Sequence, residues 1–127
     1  MVNTGFHLHL IEPLGFSINE KSLRRAGMDY IKKTDYNLWP DLDTCLNKIN
    51  YHSVYSISTK GEKIYSDLHY KKEDAFIFGP ETTGLPQKII DQYDSITIPM
   101  KSTGRSINLA NAVSIIVYEA WRQLEFI

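Results

Sequence analysis

The sequence predicts an α/β domain: a mainly parallel sheet with flanking helices. Three observations carry this expectation. Short β-branched or aromatic runs alternate along the chain with segments of helical periodicity. "DAFIFG" is a continuous apolar run of the kind found in strands covered on both faces. Three glycine-rich or polar loops, "STKG", "GPETTGLP" and "KSTGRS", stand where strands would lead into helices, which is where open parallel sheets bind ligands.

Each element has a local reason. "FHLHLIEP", Phe6–Pro13, alternates apolar and polar residues and ends at a proline, so it reads as a strand running into a loop. Lys21–Ala26 is a short helical stretch, with Gly27 placed to cap it. A second helix enters through Pro40 and Asp41 and carries Leu42, Leu46 and Ile49 on one face. His52–Thr59 is β-branched and aromatic and predicts a strand, followed by a turn at "KGEK". "LPQKIIDQY" is a short helix with proline in its first turn, and "SITIPM" is a strand ending at Met100. The final helix follows. Its apolar body predicts a buried element with its polar residues gathered at the head.

At 127 residues the chain fits a single domain, residues 1–127, able to bury a real core. A formal net charge of -1 excludes binding to nucleic acid by bulk charge, so any RNA contact must come from a local patch or from a partner subunit. The single cysteine, Cys45, cannot form an internal disulfide, and a reducing, cytoplasmic setting fits it. No apolar run approaches a membrane span. His7, His9, His52 and His69 lack metal-ligand spacing, so no metal is expected.

The loops carry the candidate chemistry. Gly79 follows a buried-type strand at once, letting the backbone turn sharply and a ligand approach closely. Glu81 and Thr82 sit between Pro80 and Gly84 in what is otherwise a tight strand-to-helix connection. The spacing fits neither a Walker loop nor a dinucleotide fingerprint. In "IPMKSTGRSINLANA", Ser106 or Asn108 can cap the final helix, and Arg105 lies beside its exposed first amides. Asn111 falls on the face of Asn108; if buried there, it requires a polar partner. Tyr118 lies two turns further on, placed either to meet a substrate or to pack in the core. Arg24 and Arg25 in "SLRRAGMDY" form either a solvated helix end or a phosphate-binding patch. Glu119 and Asp91 read as solvated helix carboxylates.

Taken together, "FGPETTGLP" and "IPMKSTGRSINLANAVSIIVYEAWRQL" resemble the second and third signature motifs of the SPOUT superfamily of trefoil-knotted RNA methyltransferases. "NTGFHLHLIEPLGF", "LRRAGMDY" and the "STKG" turn narrow the resemblance to the small tRNA (cytidine/uridine-34)-2'-O-methyltransferases. The resemblance covers essentially the whole chain. It implies a deep C-terminal trefoil knot, a fold feature that local periodicity cannot reveal. It also implies methyl transfer from S-adenosylmethionine to the ribose 2'-hydroxyl of the tRNA wobble nucleotide, leaving S-adenosylhomocysteine.

Carried over position by position, the cofactor contacts implied are Ile57, Ser58 and Thr59 in the first loop. Phe78, Gly79 and Glu81 follow in the second, and Ile98, Met100, Ser106 and Leu109 in the third. Arg105, Ser106, Asn108 and Tyr118 are implied on the substrate side, with Arg105 on phosphate or ribose and Tyr118 positioning the substrate. The implied partners are the tRNA anticodon stem-loop and a second copy of the chain, with no membrane. Family members carry a further strand and helix, with a first motif ending in arginine, before the point that matches Met1. The resemblance therefore implies an N-terminally short SPOUT domain. The alternative is an inactive or truncated knotted domain that binds cofactor, RNA or a partner without catalysis.

Overall fold

A computed structural model describes residues 4–12, 36–80, 83–101 and 107–127. Contacts gather the chain into two compact units, Met1–Asn50 and Tyr51–Ile127. The expected helix at Lys21–Ala26, with Arg24 and Arg25, lies outside the described residues.

In the first unit, strands β1 (Leu8–Ile11) and β2 (Tyr36–Trp39) pair in parallel, from Leu8 opposite Tyr36 to Ile11 opposite Trp39. The ladder extends one step further, where the Glu12 amide donates to the Trp39 carbonyl at 2.9 Å. The sequence reading missed β2. Its four residues run straight into Pro40 and the next helix cap, so Trp39 reads locally as a helix entrance. Helix α1 (Leu42–Lys48) starts where Asp41 accepts a hydrogen bond from the Thr44 amide at 2.7 Å. That bond holds the Asp41 carboxyl below its ordinary range. The helix buries Cys45 most deeply, while Leu42, Leu46 and Ile49 are half-buried beside it. Burial pushes the Cys45 thiol up, so it sits as a small apolar residue.

The second unit holds a four-stranded parallel sheet in the order β4 (Lys63–Ile64), β6 (Asp94–Thr97), β3 (Val54–Ile57), β5 (Ala75–Phe78). The short β4 was missed, since two residues carry no periodicity. Strand β6 ends at Thr97 rather than Met100, and Pro99, with no amide hydrogen, cannot extend a ladder. Helix α2 (Gln87–Gln92) connects β5 to β6 and buries Ile90. Helix α3 (Leu109–Gln123) closes the fold.

The core of this unit comprises Ile96 and Ile116, both fully buried, with Tyr70, Val117 and Ala120. Tyr70 lies edge-on to Tyr55 and Phe76, which stack across the β3–β5 pair at 5.7 Å. Its hydroxyl donates to the Tyr65 carbonyl, and burial raises the phenol well above its ordinary range, so it stays protonated. Within this chain the apolar body of α3 is buried on one side. Ile116, Val117 and Ala120 face inward, while Asn111, Ser114 and Tyr118 are exposed within this chain.

One contact in the first unit responds to pH. The Trp39 indole Nε1–H donates to His9 Nδ1 at 3.0 Å, which requires that nitrogen to be unprotonated. Burial first, and the neighbouring His7 second, hold the His9 imidazole below its ordinary value. A lowered folded value means this contribution to stability is present above the unfolded histidine pKa of about 6.5 and is lost as pH falls through the folded one. In a Trp121→Phe background, Trp39 fluorescence should titrate with a midpoint below 6.5, and His9→Gln should abolish that titration.

Candidate functional site

Strand β3 is hydrogen-bonded on both sides, and its register sets Ile57 opposite Phe78 of β5 and Ile96 of β6. Parallel partners in register point to one side of a sheet, so these apolar residues form a row at the carboxyl end. Ile96 is sealed, whereas Ile57 and Phe78 at the strand ends are only half-buried. The three expected loops leave from this edge.

The first loop folds back on its own sheet. The Ser58 amide donates to the Ile96 carbonyl at 3.0 Å, and the Gly61 amide to the Ser58 carbonyl at 3.0 Å. Ser58 Oγ accepts from the Lys60 amide at 3.0 Å, so that oxygen helps hold its own turn. Gly61 lies against the backbone of Ile96 and Thr97 with no room for a Cβ. Thr59 and Lys60 project into solvent.

The second loop is closed as tightly. A Cβ on Gly79 would collide with the Gly84 carbonyl carbon and the Leu85 nitrogen, both backbone atoms. The Gly84 amide donates to the Pro80 carbonyl at 2.8 Å, and Gly84 itself takes the left-handed conformation, φ +68°. Gly79 is therefore required by its own loop before any ligand is considered. Glu81 lies outside the described residues.

In the third loop Ile98 is half-buried, while Met100 and Lys101 are exposed. Arg105 and Ser106 lie outside the described residues. Of the two expected caps, Asn108 does the work: its Oδ1 accepts from the Ala110 amide at 2.9 Å and the Asn111 amide at 3.4 Å. With Oδ1 committed inward, only the Asn108 NH₂ group remains to meet a ligand, and it can donate but not take a proton. Leu109 is half-buried beside it. Asn111 is exposed within this chain, so its side chain does not require a protein partner here. Tyr118 is 47% exposed, edge-on to Trp121 at 5.7 Å, so it is not a core tyrosine. Among the described residues, no three His, Cys, Asp or Glu side chains gather as metal ligands, and no helix is long and apolar enough to cross a membrane.

The sequence pattern of the SpoU rRNA Methylase family matches residues 1–118. The chain belongs to this SpoU methylase family. Among its relatives is the tRNA (cytidine(34)-2'-O)-methyltransferase of Escherichia coli K12, 46% identical across 98% of this chain and 81% of the relative. The protein of the same name from Methylovorus glucosotrophus is 39% identical over 98% and 82% of the two chains. A solved structure described as giving insights into 2-OH methylation of C/U34 on tRNA superposes with a TM-score of 0.85. It is 38% identical and covers 94% of this chain and 79% of its own. The SpoU methyltransferase AviRb of Streptomyces viridochromogenes, solved with AdoMet, superposes at 0.78 with 21% identity, over 97% of this chain and 52% of that one. At that identity the likeness concerns fold. The α/β framework of this chain, built on parallel strands, is the fold it shares with these neighbours.

Sequence reasoning missed two residues of this SpoU chain, Tyr70 and Gln123. Gln123 bonds to the backbone on either side of His69 and fixes the far end of α3. A polar amide in the last turn of an otherwise apolar helix was the available signal.

Gly79→Ala should lower stability by about 1–3 kcal/mol, the usual cost of overpacking a closed site. Thr59→Ala on the neighbouring exposed rim should stay within about 0.5 kcal/mol of the parent. Urea unfolding of the two variants checks both.

Proposed function

We propose that this chain methylates the ribose 2'-hydroxyl of nucleotide 34 of tRNA, using S-adenosylmethionine, as a knotted, cytoplasmic homodimer spanning one domain. The observation that carries this reading is the rim itself. Three loops bearing the family's motif residues leave one edge of the sheet, in a chain 46% identical to a tRNA (cytidine(34)-2'-O)-methyltransferase. The residues present suit the donor. Ile57, Phe78 and Ile98 remain half-uncovered at the strand ends beside the sealed Ile96, which fits the flat apolar faces of an adenine ring. Ser58, Thr59, Gly79, Glu81, Met100, Ser106 and Leu109 complete the proposed donor contacts, with Gly79 keeping the backbone close.

When bound, the donor supplies an electrophilic methyl group on a sulfonium centre. As the methyl leaves the sulfonium for the ribose oxygen, the 2'-hydroxyl gives up its proton, so the remaining work is positioning together with a base or electrostatic stabiliser at that oxygen. The Asn108 NH₂ donates to the ribose or an adjacent phosphate, since its Oδ1 is held by the helix start. On this reading Arg105 contacts phosphate or ribose, Ser106 serves both donor and substrate, and exposed Tyr118 orients the nucleotide. The net charge of -1 leaves tRNA affinity to such local groups and to the second copy.

Purified protein with unmodified tRNA and labelled donor should give a 2'-O-methyl group at nucleotide 34, located by mass spectrometry of nuclease fragments. A 2'-deoxy nucleotide at that position should abolish incorporation. Tyr118→Ala should lower kcat/KM for tRNA at least tenfold. Donor binding without any methylation of tRNA would instead identify a non-catalytic knotted domain.

A further inference from the structure

At the far end of helix α3 one side chain, Gln123, makes directional bonds to a distant segment. The Gln123 carboxamide makes three hydrogen bonds. Its Oε1 accepts from the Tyr70 amide at 2.7 Å, and its Nε2 donates to the Leu68 carbonyl at 2.9 Å and to Glu119 Oε2 at 2.8 Å. The first two bonds read the chain on both sides of His69, much as a neighbouring strand would. The segment so held is not loose. Tyr70 is 5% exposed, its ring packs against Tyr55 and Phe76, and its hydroxyl is tied to Tyr65. Gln123 thus links α3 to the strands whose carboxyl ends form the candidate rim.

Glu119 completes the clasp. The sequence reading took it for a solvated carboxylate, yet its side chain is only 13% exposed and is held by Arg122 through two bonds of 2.9 Å. The Arg122 bonds also keep its carboxyl below the ordinary range, so it stays an acceptor for Gln123 at neutral pH.

We infer that Gln123 is a positioning residue for Tyr118. An α-helix is stiff over a length of 15 residues, so fixing the rotation of one turn fixes the next. Residues 118 and 123 are five apart, well over a third of a turn around the axis. Gln123 turned onto the 68–70 segment therefore holds the Tyr118 ring outward, edge-on to Trp121. Without the carboxamide, α3 keeps its apolar contacts through Ile116, Val117 and Ala120 but loses the directional bonds that set its rotation and its position along its axis. This inference rests on the reading of Tyr118 as a substrate-positioning group.

The test is a double-mutant cycle in the full chain, joining Gln123→Ala and Tyr118→Ala, assayed for tRNA methylation well below the melting temperature of each variant. Gln123→Ala alone should reduce kcat about tenfold, and should change activity less than twofold when Tyr118 is already alanine. Gln123→Glu keeps an acceptor for the Tyr70 amide but loses the donation to Leu68 and faces Glu119, so it should resemble Gln123→Ala. Equal losses in both Tyr118 backgrounds, or losses matching only the fraction unfolded, would overturn the inference. A second readout stands apart from activity. In a Trp39→Phe background, iodide quenching of Trp121 should rise at least twofold on Gln123→Ala. Unchanged quenching counts against the inference, whereas a parent protein that transfers no methyl group counts against the functional reading instead.

Discussion

The candidate site depends on strand β3 being paired on both sides in a register that brings its last residue level with apolar residues at the carboxyl ends of its neighbours. Ile57 lies level with Phe78 on one side and with Ile96 on the other. Had either pair slipped by one residue, the loops would leave at different heights and every side chain on that strand would change faces. The Ser58–Ile96 hydrogen bond extends the ladder beyond the last strand residue, and the backbone contacts of Gly61 and Gly79 leave each loop little freedom. These described parts of the first two loops are stiff because they continue the sheet.

That stiffness suits a reaction in which the protein mainly aligns two partners. Methyl transfer to a hydroxyl needs no redox centre and no metal, and a small misplacement costs much of the rate. The far end of α3 is therefore as relevant as its head. The Tyr70–Gln123–Glu119 contacts lie away from the rim, yet they act on the element that carries Asn108, Leu109 and Tyr118.

What the sequence made legible follows from how local each signal is. "AFIF" reads as a strand because its own composition demands burial on both faces, and Asn108 reads as a cap because capping is a short-range bond. Strand β2 and the two-residue β4 were missed because only a paired neighbour, β1 or β6, makes them strands. Asn111 and Tyr118 were placed on one face correctly, but which way that face turned could not be read. That depends on a glutamine bonding to a segment 53–55 residues earlier in the chain. The loop residues were found through a motif resemblance; spacing alone would have left them as tight connections.

Asn108 illustrates how two duties can become inseparable. One carboxamide starts the helix with its oxygen and offers its nitrogen outward. Aspartate would start the helix as well, but would bring negative charge to the surface proposed above to meet tRNA; alanine would do neither job. Any ligand that pulls on the nitrogen also polarises the oxygen that holds the first turn, so occupancy of the rim and order at the helix start are thermodynamically linked. If Asn108 contacts the substrate as proposed, recognition and folding are coupled within one carboxamide, which narrows the substitutions this position can explore.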